Sequence, residues 1–181
     1  GDVAALQTSQ LPSLTAAQFA ALETADIVAL TTDQVKVLST SQIPAMTSGQ
    51  LRALQDGDLA LFSTTQLRAL SASQIPFLDD GDIATLSTAQ IASLAGAQVA
   101  AMTTAQVDAL DTADIAAFTT TQLAELTTAQ LPVLGTDGIL ALNTAQISAL
   151  TAAQIPSLTS AQIVALETAD FAGMKTGQVS A

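Results

Sequence analysis

Oxygen ligands are the only chemistry this chain offers in quantity. Twelve of its 16 acidic residues gather in short runs: Glu23 with Asp26, Asp56 with Asp58, Asp79-Asp80-Gly81-Asp82, Asp108 with Asp111 and Asp114, and Glu167 with Asp170. Hard carboxylate oxygens suit Ca2+, and Asp56, Asp58, Asp79, Asp80 and Asp82 are the candidate metal ligands. The run at 79–82 lacks the EF-hand pattern. A solvated acidic stripe, which also supplies negative charge to helix starts, is the competing reading. Ser and Thr abound, but there is no His and no Cys, and Lys36 and Lys175 hold ordinary repeat positions. A nucleophile needs a base beside it, so the expectation is a protein that is not an enzyme. No phosphate loop, dinucleotide fingerprint or zinc spacing occurs. No cofactor is expected unless the acidic stripe takes Ca2+.

The charge balance narrows the partners. A net charge of −12, with only Lys36, Arg52, Arg68 and Lys175 as cations, leaves nothing to neutralise phosphates. Nucleic acid is excluded as a partner, and anionic membrane surfaces are disfavoured. No apolar run approaches the ~18 residues that a membrane helix needs. The absence of cysteine fits a secreted protein that folds without disulfides. No signal peptide is visible, and Gly1 reads as a processing boundary.

What positions the acids is a repeat. From Asp2 to Gln178 every eighth residue is Gln or Asp, Gly138 excepted: 23 positions, of which 16 are Gln and 6 Asp. These are called amide positions below. The next residue is always apolar (Leu11, Phe19, Ile27), and so is the one three further on (Leu14, Leu22, Leu30). The chain is one octad, close to Leu-Thr-Thr-Ala-Gln-Ile-Ala-Ala, repeated without insertion. Such a period sets the architecture before any local signal does.

Each octad carries its own helix start. In Leu14-Thr15-Ala16-Ala17-Gln18-Phe19, Thr15 and Gln18 have capping-box spacing, and Leu14 and Phe19 have that of a hydrophobic staple. Of the 21 cap positions from Thr15 to Lys175, 15 hold Ser, Thr, Asp or Asn. Because Asp replaces Gln, the shared role at the amide position is that of an acceptor near the helix start. One long helix is the alternative, but cap residues disfavour helix interiors. The prolines decide against it. Pro12, Pro44, Pro76, Pro132 and Pro156 all stand two residues after Gln, and each costs ~3 kcal/mol inside a helix. The spacing predicts a helical turn from Thr to Ile and a bend near the proline. The frame with Pro as first helical residue puts Leu or Ile at the N-cap, a poor choice.

A second period rides on the first. Asp at 2, 26, 58, 82, 114 and 170, with Gly138, advances in alternating steps of three and four octads, that is 24 and 32, so the pattern repeats every 56. Duplication of a 56-residue block explains the 56. A winding of about 3.5 octads, or about 28 residues, per turn explains its halving as well, by the logic that puts heptad a and d positions on one stripe. It places the Asp positions in one sector and the prolines roughly opposite. A coil of that size lies within the ~20–45 residues of known solenoid repeats.

The octads Leu126-Thr127-Thr128-Ala129-Gln130-Leu131 and Leu150-Thr151-Ala152-Ala153-Gln154-Ile155 resemble the Leu-Thr-Thr-Ala-Gln-Ile/Val arrays of very large secreted bacterial surface proteins, often of the RTX adhesin type. The resemblance covers the whole chain and implies an extracellular or cell-surface stalk. The glycine-rich Ca2+-binding nonapeptides of RTX proteins are missing. The expected fold is all-α: a solenoid of short helical turns, one per octad, about 3.5 octads per superhelical turn, spanning 1–181 as a single unit with its apolar pairs turned to the axis. With no polar capping repeat at either end, it reads as a segment of a longer array. The partners expected are end-to-end copies or neighbouring repeats of the same parent. The expected function is a structural spacer; the alternatives are a Ca2+- or ligand-binding module on the acidic stripe and an ice-binding Thr-rich face.

Overall fold

A computed structural model describes residues 2–55 and 57–180. Among these, sixteen short α-helices and seven 3-10 helices follow one another, with no strand. Helices of five or six residues do not persist alone, because nucleation costs more than so few bonds return. Packing must hold them. One octad shows how each begins and ends. Thr103 is extended (φ −68°, ψ 161°) and its hydroxyl accepts the Gln106 N–H at 3.0 Å, while the Thr103 N–H donates to Gln106 Oε1 at 2.9 Å. The helix Thr104–Asp108 follows, and the Leu110 N–H closes it on the Val107 carbonyl at 3.3 Å. The capping box recurs with Thr15, Thr31, Thr47, Ser63, Ser87, Thr119, Asn143 and Thr159 as caps. Where the cap is Ala95 or Lys175, the return bond alone is made, from the backbone N–H to Gln98 or Gln178 Oε1, both at 2.7 Å.

The prolines do not mark the bends. Each lies inside a 3-10 turn: Leu11–Ser13, Ile43–Ala45, Ala72–Phe77, Leu131–Leu134 and Ile155–Ser157. Such a turn closes through later N–H groups (Ser13 to Gln10 at 3.0 Å, Leu14 to Leu11 at 3.2 Å), so the missing proline donor is not needed. The bend comes two residues on, where Leu14 (ψ 132°) and Thr15 (ψ 158°) are both extended. Pro near the start of the turn is thus what these octads adopt. Leu and Ile escape the N-cap because Gln10, already αR, continues a turn begun at Gln7 (2.9 Å).

From Ile27 to Leu150 both apolar residues of each octad are buried, as the repeat predicts, whereas Phe171 and Val179 are exposed. Phe19, Ile43, Val107 and Leu131 are fully buried; Met46, Leu70 and Leu126 nearly so. They join one cluster running from Val3 to Leu166. The chain returns beside itself three octads on: helix Thr120–Glu125 packs on Gly96–Ala100, and Thr112–Ala117 on both Thr88–Ser93 and Gly135–Ala141. Side chains bond at sequence separations of 28 and 31 along the array. Each passage of the chain around the axis is called a coil below.

Candidate functional site

The side chain at the amide position has two jobs, and only one was visible in the sequence. Its Oε1 takes the cap N–H of its own helix. Its Nε2 reaches into the previous coil. Gln42 Nε2 donates to the Leu11 carbonyl at 2.8 Å and the Leu14 carbonyl at 3.0 Å; Gln106 donates to Ile75 at 2.8 Å and Leu78 at 2.9 Å; Gln154 donates to Leu123 at 2.8 Å and Leu126 at 2.7 Å. Every Gln at these positions from Gln34 to Gln178 does the same to its own predecessor coil. The accepting carbonyls close the short helices, where no intrahelical donor is left to serve them. One amide therefore caps the start of its own helix and the end of the helix one coil earlier. These amides are buried: Gln42, Gln106 and Gln162 are wholly inaccessible. A buried amide is stable only with its hydrogen bonds made, and here every buried side-chain polar atom has a partner among the described residues.

A signal for the second job exists in the sequence. A capping box accepts Glu as readily as Gln, and the helix start favours the charge. Yet Glu occupies none of the 23 amide positions. Where Gln stands, the residue donates as well as accepts.

The predicted metal ligands are partly brought together. Gly57 N–H donates to Asp82 Oδ1 at 3.0 Å, which places the octad of Asp58 against that of Asp82. Asp58 Oδ2 accepts the Gln55 N–H at 2.9 Å, and burial holds its carboxyl above the ordinary value. Asp79 Oδ1 turns back to the Gly81 N–H at 2.8 Å. Asp80 is exposed. Asp56 lies outside the described residues. Asp58, Asp79 and Asp82 thus each spend an oxygen on a backbone N–H. Among the described residues no three carboxylates stand together as a metal cage. Asp114, nearly buried, is likewise raised, first by burial and then by the negative charge of Asp111, against a lowering hydrogen bond from the Asp111 backbone.

What these observations define is an all-helical repeat protein whose coils are joined by an amide bridge from each Gln octad from Gln34 onward. A model of the ALTTAQ repeat family matches residues 19–56, 78–112, 107–144 and 139–168, more than half of the chain, and the chain belongs to that family. No curated protein matches it. No helix among the described residues is long and apolar enough to cross a membrane.

Proposed function

We propose that this chain is a non-catalytic spacer: a solenoid rod of about 3.5 octads per turn, part of an extracellular or cell-surface stalk that separates other modules of a large parent protein. The observation that carries the reading is the use of the repeating polar side chain. The Gln side chains from Gln34 to Gln178 that recur at this position and could act on a ligand are instead consumed, buried, in joining one coil to the next. Contacts between neighbouring coils alone give a one-dimensional object, lengthened by adding octads without redesign. Its partners are further repeats of the parent, or copies stacked end to end, since the same amide bridge serves any coil presented in register.

Scattering tests this. Six to seven coils at the ~8–10 Å spacing of packed helices make a rod about 50–65 Å long. Its radius of gyration is about 19 Å, against about 16 Å for a compact domain of this length. A second array joined in octad register should double the maximum dimension. A maximum dimension that grows only as the cube root of mass defeats the proposal.

A further inference from the structure

The amide bridge is missing along one side of the coil. Asp58, Asp82, Asp114 and Asp170, with Gly138, stack in one sector because their alternating steps of three and four octads straddle the coil. A carboxylate has no N–H, and glycine has no side chain. The amide positions of this sector therefore send no donor to the carbonyls of the coil before. Contacts across this sector run mostly the opposite way, from the earlier coil to the later: Gly57 N–H to Asp82 Oδ1 at 3.0 Å, and Thr144 Oγ1 to Asp170 Oδ1 at 2.9 Å; Gln55 Nε2, from an exposed cap position, reaches back to the Val28 carbonyl.

Backbone and packing change on the same side. The two glycines with positive φ, Gly57 (85°) and Gly135 (66°), both belong to octads of this sector. A cleft of about 620 Å³ opens there between Asp108, Asp111, Asp137 and Gly138. A second, of about 200 Å³, lies one coil on, between Leu140, Asn143, Thr144, Glu167 and Asp170. Carboxylates that repel one another line both. A cleft of about 270 Å³ at Arg52, Phe77 and Asp79 is lined by opposite charges instead.

We propose that the Asp stripe is a compliant seam: adjacent coils part along it before they part elsewhere, and the array bends by opening that side. The inference rests on the winding of the coil and not on the spacer role. Hydrogen exchange of the intact chain tests it. Backbone amides in octads 79–86, 111–118 and 135–142 should exchange faster than those in octads 95–102 and 119–126, repeating the alternation of three and four octads. Asp82→Gln and Asp114→Gln supply two carbonyl-directed donors each, and should slow local exchange about tenfold or more, as two buried hydrogen bonds imply. Gln106→Asp, off the stripe, should speed exchange in its own octad and in 75–78. Exchange that is uniform around the coil, or Asp→Gln variants within about twofold of the parent, overturns the seam.

Discussion

Gln106→Glu separates the two jobs of the amide. The substitution keeps size and shape and keeps the oxygen that accepts the Thr103 N–H. It removes both donors to the Ile75 and Leu78 carbonyls and puts a charge in a site with no accessible surface. Stripping a buried carbonyl of its donor costs ~1–3 kcal/mol each, and an uncompensated buried charge several more, so the loss at pH 7 should be at least about 5 kcal/mol. For a chain of this length that lowers the melting temperature by roughly 10–20 °C. Gln18→Glu is the matched control. Gln18 makes the same cap bonds (Thr15 N–H at 2.9 Å), but it is exposed and belongs to the first coil, with none before it among the described residues. There the change should stay within ~0.5 kcal/mol, with the helix start favouring the charge. The assay is guanidinium unfolding followed by circular dichroism. Near pH 4 the carboxyl introduced at 106 protonates and regains one donor, so about half the loss should return. Equal costs at 106 and 18 would refute the two-job reading.

Three further outcomes are expected. Asp58 and Asp114 are raised above 3.8 by burial, so the folded chain holds their protons more tightly than the unfolded one. Stability then falls as pH rises from about 3.8 through the folded values; thermal melts between pH 3.5 and 7 should show this, and Asp114→Asn should flatten the slope and raise stability at pH 7. Gly135→Ala, at φ 66°, should cost ~1 kcal/mol or more, whereas Gly177→Ala, helical with open space around its Cβ, should add ~0.4–1 kcal/mol by restricting the unfolded chain; urea unfolding of the pair reads the opposite signs. Asp58, Asp79 and Asp82 are engaged by backbone N–H groups, so millimolar Ca2+ should move the melting temperature by under ~1 °C, the limit set by weak binding, and calorimetric titration that saturates would contradict that use of the carboxylates.

Much of the fold was legible because it is local. The capping spacing of Thr15 and Gln18, the apolar pair Leu14 and Phe19, and the common phase of the prolines each follow from a few neighbouring residues. The return of the chain beside itself could be read from the alternating Asp steps, because a wound chain converts alternation into a stripe. Two readings needed coordinates. The bend was expected near Pro12 and lies at Leu14–Thr15, since a 3-10 turn tolerates a missing donor that an α-helix interior does not. The donor role of Gln42 or Gln106 was overlooked because the Gln-to-Asp exchange hides it: the exchange is tolerated on the stripe alone, where the bridge is absent.

The octad by itself determined helix starts, the buried pair and the period, since each depends on torsions and hydrogen bonds between near neighbours in the chain. Which carbonyls lack a donor, and which amide reaches them from the following coil, depends on how successive coils stack. Only the tertiary structure decided that, and with it why the repeating polar position is held mostly by Gln and never by Glu.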